Sequence, residues 1–323
     1  MKFSTFACGF NGLHQIGSLD DASVSTWCRI NDALECEPCL SLSWDSLNIC
    51  ANGHVQRNGI TIKAPPGCEQ ETPSMLCSAE DRLVALYPDG STWLRTTAWR
   101  RLALQSAGQE TAEPARHVSI GRHTLAACDT GGSLLTLDGV PTPAGEWLQA
   151  VSCGREHVVL LTRSGRVFTY GGGSRGQLGT GELSSSDVPQ LVTALDGLAI
   201  TQVCAGGWHT AALSSSGDVY TWGWNESGQL GLGDAVNVAA EPALVDALPS
   251  DVTVTQLACG LRHTLALLED GSVIGWGWNG HSQLALPPCD RSLPRALPLP
   301  ERGTVVRVAA GGWNSALVTR EDS

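Results

Sequence analysis

Trp222-Gly223-Trp224-Asn225-Glu226-Ser227-Gly228-Gln229-Leu230-Gly231-Leu232 decides the fold, because the chain repeats it. It returns as Trp276-Gly277-Trp278-Asn279-Gly280-His281-Ser282-Gln283-Leu284, and more loosely as Tyr170-Gly171-Gly172-Gly173-Ser174-Arg175-Gly176-Gln177-Leu178-Gly179. A phrase recurring about every fifty residues is the mark of a propeller or a solenoid. Each copy keeps an aromatic-glycine pair and a glutamine, and each is preceded by a histidine: His157, His209 and His263.

Around each histidine the frame is constant. Glycine stands three residues before it, at Gly154, Gly206 and Gly260, and another follows at Gly165, Gly217 and Gly271. Between them the chain is small and apolar, as in Thr210-Ala211-Ala212-Leu213. After the glycine it alternates, as in Asp218-Val219-Tyr220-Thr221-Trp222. Two short β-like runs around a glycine turn predict a hairpin. Weaker copies precede these. His123 leads to Gly131, Arg82 to Gly90, and Asp45, after Trp44, to Gly53.

A seventh copy begins at Gly311-Gly312-Trp313-Asn314-Ser315-Ala316-Leu317, but its second half is missing. That half is found at the other end. Cys8-Gly9-Phe10-Asn11-Gly12-Leu13-His14-Gln15-Ile16 matches the phrase beginning at Trp222, with Gly9 on Gly223 and Gln15 on Gln229. A unit shared by both ends closes a ring and leaves no sheet edge exposed there. An open solenoid would need polar caps instead. The expectation is an all-β, seven-bladed propeller over residues 1–323 as a single domain, closed by pairing the N-terminal strand with the C-terminal repeat.

These residues resemble the regulator-of-chromosome-condensation repeat family, whose members are seven-bladed β-propellers. The resemblance is strong from about Leu148 to Leu286, recognisable at both ends, and poor from about Trp27 to Thr142. It extends to a small single-propeller branch, which implies pairing with a JmjC-domain 2-oxoglutarate oxygenase in histone H3 lysine-36 methylation and chromosome segregation. Residence in the nucleus, with the cytoplasm as the alternative, is likewise an implication of the resemblance.

Composition narrows the field. A formal net charge of −12 argues against a direct grip on nucleic acid, which needs a basic stripe. Neither end carries a lysine-rich tail, unlike the family's founding member. No stretch reaches the length of a membrane span, and Met1 to Gly9 is too short an apolar run for a signal peptide. Twelve cysteines invite a disulfide framework, yet Cys153, Cys204 and Cys259 fall at equivalent repeat positions. That placement reads as buried strand thiols acting as small hydrophobes in a reducing compartment.

Candidate site residues follow from the same register. A general base needs one matched partner in one cleft. His123, His157, His209 and His263 each serve a separate unit, so they read as structural, hydrogen-bonding backbone within or between blades. Gly171, Gly223, Gly277, Gln177, Gln229 and Gln283, with Gly9 and Gln15, complete the structural set. Cys36-Glu37-Pro38-Cys39 is a lone C-x-x-C and weak as a zinc site. Gly171-Gly172-Gly173 has no helix after it to hold phosphate. No catalytic residue, cofactor or metal is expected.

Trp222 and Trp276 sit where the repeat demands an aromatic and read as packing. Trp208 and Trp313 stand just before the histidine position and read as anchors for a protein partner, since aromatics and arginine carry much interface energy. A light-sensing family member uses tryptophans in such a context, but Arg262 and Glu156 replace them in two copies here. Trp93-Leu94-Arg95-Thr96-Thr97-Ala98-Trp99-Arg100-Arg101 is a basic, aromatic patch, read as a long connection between the second and third units. Arg95, Trp99, Arg100 and Arg101 are its candidate contacts. The function expected is a non-catalytic adaptor, touching histone or chromatin only indirectly. The alternative, implied by the founding member, is guanine-nucleotide exchange on a small GTPase of the Ran type.

Overall fold

In the computed structural model, the structure describes residues 2–10, 23–34, 38–42, 47–51, 54–58, 60–68, 71–79, 82–106, 109–110, 114–233, 235–249, 251–290, 292–301 and 303–321. The described strands form seven antiparallel sheets, one per blade. Blade 5 shows the regular plan: strands Ile200–Ala205, His209–Ser214, Val219–Trp224 and Val238–Leu244, in that order from the centre outwards. Blades 4 and 6 repeat it, over Leu148–Leu191 and Val254–Ala296.

The sequence pattern explains the layering. Every residue of the second strand, His209–Ser214, is buried, because neighbouring blades cover both faces of the sheet. That strand is accordingly small and apolar, whereas the outer strand Val238–Leu244 is nowhere buried. Between blades the core is continuous: Ala211, Leu213 and Val219 of blade 5 pack on Val254, Leu257 and Trp276 of blade 6.

The ring closes as the split repeat predicts. Blade 7 runs Thr304–Ala310, Asn314–Glu321, Lys2–Phe10, Ser23–Leu34 from the centre outwards. The N-terminal strand pairs in unbroken register from Lys2↔Glu321 to Gly9↔Asn314. The innermost strands touch in sequence round the whole circle: Cys39–Leu42 of blade 1, Met75–Ala79 of blade 2, Ala115–Ile120 of blade 3, then Leu148–Cys153, Ile200–Ala205, Val254–Cys259, Thr304–Ala310, and back to blade 1.

Two expectations in the weak region are corrected. Trp93 to Arg101 is not a connection between units. Thr92–Arg95 and Trp99–Arg101 pair as the third and fourth strands of blade 2, with Trp99↔Arg95 and Arg101↔Trp93 in register. The alternation of apolar and basic residues there is strand alternation. Trp99 is half-buried and its Nε1 donates to Lys63 O of the neighbouring segment at 2.7 Å.

His123 is one residue out of frame. Gly121 N donates to Thr124 O at 2.9 Å, just as Gly154 N donates to His157 O at 2.8 Å. Thr124 therefore fills the histidine position of blade 3, Gly132 with φ 84° is the turn glycine, and His123 is exposed. Blade 3 is irregular in another way. Its outer strands, Gln105–Ser106 and Gln109–Glu110, come from chain preceding the blade, so their order reads Gln109–Glu110, Gln105–Ser106, Leu134–Thr136, Leu125–Asp129, Ala115–Ile120. Gln15, Asp45, Trp44, Gly53 and Cys36 lie outside the described residues.

Candidate functional site

The repeat histidines latch blade to blade. His157 Nε2 meets Thr210 Oγ1 at 2.9 Å, His209 Nε2 meets Thr264 Oγ1 at 3.0 Å, and His263 Nε2 meets Ser315 Oγ at 3.0 Å. Each partner belongs to the next blade and is a side-chain hydroxyl, where backbone was expected. Thr210 Oγ1 donates its one proton to Gln177 O at 3.1 Å, and Thr264 Oγ1 donates to Gln229 O at 2.9 Å. The hydroxyls must then accept from the imidazoles, which fixes the Nε2–H tautomer.

The same glutamine carbonyls accept the buried indole Nε1 of Trp222 and of Trp276, at 3.0 and 2.9 Å. At the closing joint Cys8 takes the tryptophan's place, its Sγ donating to Gln283 O at 3.3 Å. Between blades 2 and 3, Arg82 Nη2 bridges instead, to Gly121 O at 2.6 Å. Glycine precedes the histidine by three because the ring lies against it. A Cβ on Gly206 would meet His209 Cε1 at 2.2 Å.

Burial drives the pKa of His157, His209 and His263 down to about 3. The unfolded chain takes up these protons near pH 6.5 while the folded chain stays neutral, so the histidines' contribution to stability is lost as pH falls from 6.5 towards 3. At pH 5.5 each should cost about 1.4 kcal/mol. Urea unfolding at pH 7.5 and 5.5 is expected to differ by roughly 4 kcal/mol from these three. Equal stability at both pH values would contradict the buried neutral latch.

Residues just before each latch cannot point inward, so they form one face of the ring. Trp208, in the turn ahead of His209, meets Trp224 edge-on, with centroids 5.5 Å apart. Gly223, with φ 103°, re-aims the chain between Trp222 and Trp224. Trp222 is fully buried while Trp224 stays half-exposed, although strand alternation alone would put both on one side. A Cβ on Gly223 would also meet Trp208 O at 2.5 Å, so the close approach admits no side chain.

Three arginines converge on the pair. Arg175 lies 4.4 Å from the Trp208 ring and 4.8 Å from that of Trp224. Arg155 stacks on Trp208 at 5.0 Å and Arg262 on Trp224 at 4.6 Å. One carboxylate, Glu226, approaches Arg262 at 3.9 Å. A second cluster stands at the joint of blades 6 and 7. Trp278 meets Trp313 edge-on at 4.6 Å, with His281 5.1 Å from Trp278.

Of the expected contact residues, then, Trp208 and Trp313 belong to this face. Arg95, Trp99, Arg100 and Arg101 lie on the outer strands of blade 2, at the circumference, and the fold does not bring the two sets together. Trp224, Trp278, Arg155, Arg175 and Arg262 were not singled out from sequence. For the tryptophans the signal was present, since Trp224 and Trp278 each follow an aromatic-glycine pair, whereas each arginine occurs in one copy only and nothing in the repeat shows that arginines and tryptophans meet.

The seven innermost strands enclose a central channel of about 950 Å³. Among the described residues lining it, only Arg122 and Arg155 carry charge, both at one mouth. Cys77, Cys153, Cys204 and Cys259 line it, and none of the described cysteines is in a disulfide. Cys153 and Cys259 are buried, and burial pushes the Cys153 thiol up to about 11. Cys204 departs from the small-hydrophobe expectation. It is half-buried, its Sγ accepts Cys259 N at 2.9 Å, and hydrogen bonding with the Cys259 thiol, and secondarily with its backbone, lowers its pKa. The described residues gather no three His, Cys, Asp or Glu side chains placed to hold a metal ion. No described helix is long and apolar enough to cross a membrane.

Family models for the regulator of chromosome condensation (RCC1) repeat match residues 164–213, 216–267 and 270–318. A second such model matches residues 149–177, 200–229 and 254–283. The chain is 30% identical over 341 residues to the mouse RCC1 domain-containing protein 1, covering 88% of each. It is 35% identical over 202 residues to the human protein of that name, covering 50% of this chain and 54% of the other. Prp20p from Saccharomyces cerevisiae, studied for its binding to Gsp1p and histones, superposes with a TM-score of 0.82 at 14% identity, over 100% of this chain and 92% of that one.

Proposed function

Since the chain belongs to the regulator of chromosome condensation repeat family, we propose that it is a non-catalytic adaptor. Its partner in this proposal is a JmjC-domain 2-oxoglutarate oxygenase, which it links to chromatin in the nucleus. The observation that carries the proposal is the half-exposed cluster of Trp208, Trp224, Arg155, Arg175 and Arg262. Arginine and tryptophan on a rigid face are the residue types from which binding hot spots are made. The blade latches hold that face in place, and a preformed face loses little entropy when a partner docks.

Co-elution of the purified chain with a recombinant JmjC oxygenase tests the pairing. Binding is expected, and Trp208→Ala with Trp224→Ala should weaken it at least ~100-fold, as loss of two hot-spot aromatics does. Failure to co-elute under any salt condition removes the proposal. Nucleotide exchange, the activity implied by the founding family member, is decided by release of labelled GDP from a Ran-type GTPase. Acceleration by this chain would put exchange in the adaptor's place.

A further inference from the structure

We infer that the Trp208–Trp224 face receives an acidic, extended peptide segment, whose aspartate or glutamate carboxylates dock onto the edges of Arg175 and Arg262. This rests on the proposed role of the same face as a docking surface and adds the chemistry of what docks.

The first ground is charge. The chain carries a formal net charge of −12, yet three guanidinium groups gather over two indoles. Arg175 and Arg262 stand 4.8 and 4.6 Å from the same ring, so two like charges share one indole. Arg175 has no ion pair among the described residues, and Arg262 meets only the exposed Glu226, at 3.9 Å. Incoming carboxylates would relieve that repulsion.

The second ground is the kind of hydrogen-bonding group left over. Trp208 Nε1 and Arg262 Nε are shielded from water and have no acceptor among the described residues. Both are donors. The unmet hydrogen-bonding groups beneath this face are thus donors, the same character as the guanidinium N–H groups at its surface. Stacking supplies the third ground. A guanidinium lying on an indole keeps its plane fixed and leaves its in-plane N–H groups directed outward, the geometry for bidentate carboxylate. The indoles meanwhile offer apolar surface to the residues between the acids.

A longer polyanion fits less well. Nucleic acid would meet the acidic remainder of the surface beyond the patch, including Glu156 and Glu226, both exposed. A basic peptide would meet three arginines. A short acidic segment matches the patch and does not extend past it.

The test uses a fluorescein-labelled twelve-residue peptide of alternating glutamate and alanine, its lysine counterpart, and the full chain. Fluorescence anisotropy should show binding of the glutamate peptide, weakening as salt rises, and none of the lysine peptide. Arg175→Glu with Arg262→Glu is expected to weaken binding at least ~10-fold, since opposite charges then become like ones. Arg175→Lys should weaken it less, because charge remains while the planar fork is lost. Arg100→Glu with Arg101→Glu, at the circumference, should leave it unchanged, and thermal melts confirm that each variant folds. Equal binding of both peptides, or full binding by the double Arg175/Arg262 variant, overturns the inference. So does sedimentation showing a concentration-dependent dimer that the same double variant abolishes, because a second copy would then occupy the face. The peptide result is separable from the oxygenase result. An acidic segment can bind where the oxygenase does not, and an oxygenase can dock elsewhere on the ring.

Discussion

A chain lacking residues 1–10 is expected to lose its cooperative fold. The strand Lys2–Phe10 lies between Asn314–Glu321 and Ser23–Leu34, so removing it takes a middle strand from blade 7 and isolates the outer one. Thr5, Ala7 and Cys8 are 0% exposed and Phe6 is 8% exposed, and the strand's ladder to the C-terminal strand runs without a break. The loss combines buried apolar surface, a row of orphaned backbone groups on Asn314–Glu321, and the Cys8 contact with Gln283. Together these exceed about 5 kcal/mol, which is the lower end of a domain's whole stability. The exposed edge would then template aggregation. Size exclusion and a thermal melt read the outcome. A monodisperse truncated chain with a sharp melt close to that of the full chain would mean that closure does not hold the ring together.

Trp222→Ala should be the most damaging single substitution on the regular side of the ring. The indole is 0% exposed, packs with Val159, Val167 and Leu195 of blade 4, and donates to Gln177 O. Truncation leaves a cavity at the joint of two blades and costs about 3–5 kcal/mol. The lost donor adds to this, although Thr210 still serves the same carbonyl. Trp224→Ala, two residues away and half-exposed, should cost under about 1 kcal/mol in urea unfolding while weakening partner binding about 10-fold. If the two variants unfold alike, the separation of packing tryptophan from surface tryptophan made by Gly223 is wrong.

That separation also marks how far the amino-acid pattern could be read. The spacing of His157, His209 and His263 fixed the blades that contain them, because one residue type at one offset does one job in each. The split repeat located the closure for the same reason. Blade 3 resisted, since Thr124 sits in the latch position and an exposed histidine next to it imitates the pattern at a one-residue offset. Its two outer strands come from preceding chain, which no repeat frame anticipates. In blade 2 the basic, aromatic stretch was mistaken for a connection because strand alternation of tryptophan with arginine looks like a binding loop. At the candidate face, Trp208 and Trp313 were legible and Trp224 and Trp278 were not. Their side-chain direction depends on a left-handed glycine, and a linear frame does not show backbone dihedrals. The arginines were invisible for a simpler reason. Arg155 and Arg175 come from separate loops of blade 4 and Arg262 from blade 6, and they meet only when the ring is assembled.

Blade 7 also has a consequence for how the molecule is made. The strand Lys2–Phe10 finds its partner, Asn314–Glu321, only after some three hundred further residues have been synthesised. Until then the nascent chain carries an unzipped β-strand, and the blades already formed cannot be drawn into a circle. The ring therefore closes through a contact of very long sequence separation, which is slow and leaves the chain open to misassembly. A circular permutant with its new ends in the loop between blades 4 and 5, and its old ends joined, would complete blade 7 during synthesis and shift that vulnerable interval elsewhere in the ring.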